Sequence, residues 1–188
     1  MAEIQNDNYW KDRYQHLWKE ASQKEEILRM ILHEATGLSL IATGLGATTS
    51  DYISGSAASN NNEKGSPDFQ IAGTNVFVEV TGPISSKARP EAGLWLRPDK
   101  LNYAYKYRNT AEEFFALFFP AADKWYVIHA DQAFFNHVFA HKDRDDYHII
   151  TPTIRGSREK YVNISFRNPF VRDLQYLIDF LLQLGDRE

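Results

Sequence analysis

Residues 65–83 read GSPDFQIAGTNVFVEVTGP. Two short runs alternate apolar and polar residues on either side of Gly73-Thr74, the pattern of a β-hairpin closed by a glycine-containing turn. If Gly73-Thr74 are the two turn residues, Ile71 faces Val76, Gln70 faces Phe77, Phe69 faces Val78 and Asp68 faces Glu79. Successive strand side chains point to opposite faces. Phe69, Ile71, Val76, Val78 and Val80 therefore form a core face, and Asp68, Gln70, Phe77, Glu79 and Thr81 form the other. A slip of one residue would turn the polar set inward, so the hydrophobic pattern itself supports the register.

That register sets two carboxylates opposite each other, with Cβ atoms ~5 Å apart. Like charges in that position repel, so a cation must compensate or one group must keep a proton. A divalent metal with oxygen ligands meets the need: Mg²⁺ takes one or two carboxylates, a carbonyl and waters. It can activate water and offset charge on a phosphate oxygen. The alternative is a hairpin whose polar face is solvated, with Asp68 and Glu79 bonded to nearby Lys or Arg.

Pro67-Asp68, ten intervening residues and then Glu79-Val80-Thr81 resembles the PD-(D/E)xK nuclease superfamily. That superfamily includes many restriction endonucleases and archaeal Holliday-junction resolvases. The likeness spans roughly residues 30–130. It implies that Asp68 and Glu79 bind Mg²⁺, with Mn²⁺ able to substitute, and that the backbone carbonyl of Val80 is a third ligand. Glu34, from LHEATG, would assist from an upstream helix. The family's lysine, two residues after the acid, is replaced by Thr81. Thr81 shares the face of Glu79 and could hold a water, but it brings no charge. Some members carry the lysine on a neighbouring helix, and Lys100, in the first turn of the helix after the hairpin, is the candidate here, with Lys87 and Lys106 in reserve.

The resemblance further implies a metal-dependent DNA endonuclease. It also implies a homodimer, since cutting both strands of a duplex uses two sites. The implied fold is a restriction-endonuclease-like mixed central sheet flanked by helices over residues 37–188, preceded by a helical extension over 1–36. Without a usable lysine, the same fold would serve as a catalytically inactive nucleic-acid-binding or assembly protein.

The chain has 188 residues, of which 43% are hydrophobic, enough for one ordinary core. The absence of cysteine removes disulfides, thiolate zinc sites and cysteine nucleophiles. No apolar run reaches membrane-spanning length, and the polar start MAEIQNDNYWKDRY lacks a secretory pattern. A soluble cytoplasmic protein is expected. A net charge of −4 argues against a histone-like coat on DNA and leaves room for a local basic groove. Residues 87–108 are the place for one: Lys87, Arg89, Arg97, Lys100, Lys106 and Arg108 interleave with Trp95, Tyr103, Tyr105 and Tyr107. Cations neutralise phosphates and rings stack on bases. A solvated amphipathic helix whose tyrosines cover the sheet is the alternative.

Apolar spacing predicts helices over 6–36, from Pro98 onward, over QAFFNHVFAH and over the C-terminal NPFVRDLQYLIDFLLQLGDRE. Strands are expected in EFFALFFPAADKWYVIHAD, HIITPTIRG and EKYVNISF, with 84–96 irregular and 54–66 a loop. GLGATTSDYISG has the wrong glycine spacing for a dinucleotide site. It reads as a connector or as a close approach to a DNA backbone. His129, beside Asp131, reads as a strand-end histidine satisfied by a carboxylate. His137 and His141 read as a helix-surface pair, because no HExxH surrounds them.

Overall fold

A computed structural model describes residues 23–43, 65–83, 85–142, 144, 146–154 and 156–185. The predicted helix over 6–22, most of the 54–66 loop and the GLGATTSDYISG connector lie outside the described residues. In chain order the elements begin with helix α1 (23–36), β1 (Leu40–Ala42), β2 (Phe69–Ile71), β3 (Val76–Thr81) and β4 (Leu94–Leu96). Next come α2 (Pro98–Tyr107), β5 (Glu112–Phe119), β6 (Lys124–His129), α3 (Gln132–His141) and β7 (Tyr147–Ile150). The chain continues through β8 (Thr153–Ile154), β9 (Ser157–Arg158), β10 (Tyr161–Ile164), β11 (Val171–Asp173) and α4 (Leu174–Gly185).

From Glu113 to Leu117 every residue of β5 is buried, as a central strand covered on both faces requires. The sheet around it has the order β1-β2-β3-β5-β6-β11. Only β3 and β5 run parallel; every other pair in it is antiparallel. A parallel pair needs a crossover, and the chain between β3 and β5 supplies it, carrying β4 and α2 onto one face. A smaller sheet, β4-β10-β7, stands on that side, and β8 and β9 form a separate two-stranded ribbon.

Alternation along β5 divides the core in two. Phe114 and Ala116 pack with Ile71, Val76, Val78 and Val127 beneath α1, through Leu28 and Leu32, and beneath α4, through Leu177 and Leu181. Phe115, Leu117 and Phe119 point the other way, toward Leu101 and Ala104 of α2, Phe134 and Phe135 of α3, and Leu94, Leu96 and Ile164 of the smaller sheet. Leu28 and Leu32 are fully buried, and each such leucine stabilises by roughly 1.5–3 kcal/mol. The stretch 23–36 is thus part of the core and not an appendage to it.

The hairpin keeps the register read from the sequence, with Phe69 opposite Val78 and Gln70 opposite Phe77. Its connection differs. Residues 72–75 form a four-residue loop in which the Thr74 N–H donates to the Ile71 carbonyl (3.1 Å) and the Ala72 N–H to Ser39 (2.8 Å). Thr74 Oγ1 accepts from the Val76 N–H at 3.1 Å, and Gly73 takes the left-handed φ of 76° that the bend requires. Two- and four-residue loops centred on the same point give the same strand pairing, so the register survives the change of turn. Two short strands also lie where none was expected. β4 forms inside 84–96 because Leu94 and Leu96 reach the core while Trp95 faces outward. β11 precedes α4 and pairs with β6. Among the described residues no helix is long and apolar enough to cross a membrane.

Candidate active site

Asp68 and Glu79 share the sheet face that carries α2, and both are buried, at 9% and 6% exposure. The alternative of a solvated polar face is overturned on exposure, while the basic partner it called for is present. Asp68 Oδ2 accepts the Val80 backbone N–H at 2.8 Å, so the carboxylate of the residue just before β2 reaches across to β3. Lys100 closes the group from α2. Its Nζ donates to Glu79 Oε2 at 2.6 Å and to the Ser66 carbonyl at 2.7 Å, with only 17% of its side chain exposed.

Local backbone makes that reach possible. Pro98 starts α2 with its φ already helical, and Leu101 and Ala104 anchor the helix on the sheet. Lys100 is thereby aimed at the hairpin. Gly65, at φ 89°, lies so close to α2 that a Cβ there would collide with the Asp99 carbonyl. The segment leading into Asp68 is pressed against the helix's first turn, and any larger residue at 65 would push it away.

A third carboxylate belongs to the group and was missed in the sequence. Glu113, the second residue of β5, lies opposite Phe77, on the same face as Glu79, and is 3% exposed. Its Oε1 has no hydrogen-bond partner among the described residues. Burial pushes the Glu113 carboxyl up to about 8, with the Asp68 charge adding to the rise and Lys100 opposing it. Burial also drives Glu79 well above the usual carboxylate range; Asp68 and Glu113 add to this, while Lys100 pulls back. Asp68 is raised for the same first reason, against the Lys100 charge, the Val80 N–H and a hydrogen bond with Glu79. Burial alone would lower Lys100, but Glu79 and Asp68 more than offset it and hold the ammonium form. Three buried carboxyls face one ammonium, and burial favours the protonated form of the acids that this single cation does not offset.

The donor set fits a hard divalent ion. Among the described residues no three His, Cys, Asp or Glu side chains converge to hold a metal by themselves. Two carboxylates completed by a backbone carbonyl and water are a set that Mg²⁺ accepts, and the orphaned Glu113 oxygen marks a place where further positive charge or water would be welcome.

Other residues fall as follows. Thr81 is half-buried on the Glu79 face. Glu34 is exposed on α1, which packs on the opposite face of the sheet, so the structure does not bring it to the carboxylate group. Lys87, Arg89, Arg97 and Lys106 are exposed. Arg97 forms a two-pronged pair with Asp99 (3.1 and 2.7 Å), and Lys106 lies 4.9 Å from the Tyr107 ring centre. His129 is satisfied by a carboxylate, with Nε2 2.6 Å from Glu112 Oε2, while Asp131 Oδ2 lies farther off, 3.9 Å from Nδ1. His137 and His141 stack on each other, ring centres 4.1 Å apart, with His137 bonded to the Tyr147 hydroxyl.

No protein-family model matches the chain, and no curated protein matches its sequence. Among solved structures it is similar to D212, a nuclease from a fusselovirus, with 13% identity over 89% of this chain and 92% of that one and a TM-score of 0.50. It is also similar to Hjc, a Holliday junction resolvase from Archaeoglobus fulgidus, with 16% identity over 84% and 97% and a TM-score of 0.44. The likeness to D212 is one of fold. A mixed sheet flanked by helices is the architecture that this chain shares with that nuclease.

Proposed function

We propose that the protein is a metal-dependent endodeoxyribonuclease that hydrolyses phosphodiester bonds, and that it works as a homodimer. The observation that carries this is the burial of Asp68, Glu79 and Glu113 around a single lysine on a nuclease-type fold. Asp68 and Glu79 would hold Mg²⁺ or Mn²⁺, with the Val80 carbonyl as a further ligand. When bound, such an ion supplies Lewis-acid activation of water and charge compensation at the phosphate.

The chain's own residues do the rest. An ammonium has three N–H donors, and Lys100 gives two of them to Glu79 and Ser66. The third is left to orient the attacking water or to meet the charge that grows on the phosphate, the kind of preorganised contact that contributes most to such reactions. The Thr81 hydroxyl, on the same face, is a second group able to position water. Lys100 thus takes the place of the strand lysine that Thr81 replaces. The exposed cations Lys87, Arg89, Arg97 and Lys106 would contact the DNA backbone.

The test is incubation of the full chain with plasmid DNA and Mg²⁺ or Mn²⁺. Cleavage that both Asp68→Ala and Glu79→Ala reduce by about a thousandfold or more supports the enzyme; cleavage that survives either change refutes it. One observation favours a second reading. Lys100 already pairs with the Glu79 oxygen at 2.6 Å, an arrangement that neutralises the acid without a metal. A non-catalytic DNA-binding protein would show no cleavage and metal-independent binding.

A further inference from the structure

A cavity of about 470 Å³ opens on the sheet face that carries the carboxylate group, within the ~300–1,000 Å³ typical of sites for small organic groups. Thr81 is part of its wall, Leu117 and Phe119 line its inner side, and Trp95 and Tyr161 supply two aromatic rings. The ring centres lie 5.9 Å apart. Arg89 and Arg97 complete the lining with positive charge. Trp95 belongs to neither core cluster and is 38% exposed.

The cavity and the carboxylates are joined through two elements. Thr81 follows Glu79 by two residues on β3, ~6.6 Å along the strand on the same face. Arg97 caps the start of α2, and Lys100 lies in its first turn. The Arg97 pair with Asp99 uses Nε and one terminal nitrogen, leaving other donors of its fork for an anion. An apolar, aromatic slot rimmed by arginines and one short step from a phosphodiester-cleaving group matches the chemistry of a nucleotide: a flat base for the rings, a phosphate for the cations.

We infer that this cavity takes one unstacked nucleobase of the DNA strand being cut, so that the preferred substrate has an unpaired base next to the scissile phosphate. This rests on the nuclease assignment and specifies its substrate class. In a fully paired duplex the base must first leave the stack, an expense of a few kcal/mol; in a loop, gap or flap it is already free. Base–aromatic stacking of this kind is sequence-tolerant, so the selection is for DNA structure and not for sequence.

The experiment measures binding in EDTA, where no DNA is cut. Two labelled duplexes of the same flanking sequence are compared, one fully paired and one with a three-nucleotide unpaired loop containing 2-aminopurine. The wild-type chain is expected to bind the looped DNA about five- to tenfold more tightly, in line with stacking of one base, and to quench the 2-aminopurine. Trp95→Ala should lose both effects, while Trp95→Phe should keep most of each, which separates stacking from folding. Arg89→Ala should weaken binding of both DNAs and leave their ratio unchanged. Equal affinities in the wild type, no binding of either DNA, or quenching that persists in Trp95→Ala would overturn the inference. Because no cleavage is read, that failure leaves the hydrolase assignment standing. A chain that keeps the preference yet cuts no plasmid loses the hydrolase and keeps the pocket.

Discussion

The two faces of the central sheet each hold an acid and a basic side chain 2.6 Å apart, and the pairs are not equivalent. On one face Glu112 meets His129, whose ring stacks on Phe114 with centres 4.2 Å apart; the Glu112 side chain is 42% exposed. On the other face Glu79 meets Lys100, and Asp68 and Glu113 are buried beside them. The acid of the first pair is open to water. The second pair is enclosed and has further acids beside it. An ion pair alone is a common structural device; buried acids with raised pKa values clustered around one cation are a mark of functional sites. Adjacent residues of one strand, Glu112 and Glu113, thus differ in purpose because alternation sends them to opposite faces.

The contrast can be broken in several ways. The largest effect is expected from Lys100→Met, which should slow DNA cleavage about 10²–10³-fold, whereas Glu112→Gln should change it less than about twofold. Equal losses would erase the distinction between the faces. Next comes Glu113→Gln in metal-free buffer. An unfolded glutamate titrates near 4.5 and the folded one at about 8. Below the lower value both states hold the proton; between the two only the unfolded chain releases it, so this group makes stability fall as pH rises from about 4.5 to 8. The variant should melt roughly 4 °C or more higher than wild type at pH 8 and about the same at pH 5. An unchanged difference at both pH values would mean that Glu113 is not held protonated.

Metal gives the third effect. Millimolar Mg²⁺ or Mn²⁺ should raise the wild-type melting temperature by roughly 2–5 °C at pH 8 and do so less at pH 5.5, because protons compete for the raised carboxyls. Asp68→Asn should abolish the shift; a shift retained in that variant would place the ion elsewhere. The smallest effect is reserved for the opposite face. His129→Asn, which removes a ring stacked on Phe114 as well as the Glu112 contact, should lower stability by about 1–2 kcal/mol and leave the metal-induced shift intact, as thermal melts can establish.

How much of this the sequence disclosed follows from range. The Asp68–Glu79 pairing was legible because period-two alternation and a nearby glycine bend fix it within fifteen or so residues. Lys100 was legible as a cation at a helix start, which Pro98 announces. Glu113 was not. Its parity with Phe115 and Leu117 is visible, but its membership in the group depends on β5 lying parallel to β3, a pairing no local pattern encodes. The three-residue strands β1, β4 and β11 were obscure for the same reason, since each is stabilised by a partner remote in sequence. Glu34 was misplaced because helical spacing reveals which residues share a stripe, not which side of a sheet the helix will cover. The aromatic cavity escaped notice altogether: Trp95 and Tyr161 meet only after β4 and β10 have paired.

Because the ammonium of Lys100 arrives on a helix and not on the hairpin that bears the acids, the cluster has no internal counter-charge until that helix docks. A chain with only its hairpin formed would carry exposed acids and no ammonium beside them. Docking of α2 and completion of the carboxylate–ammonium group are therefore one event.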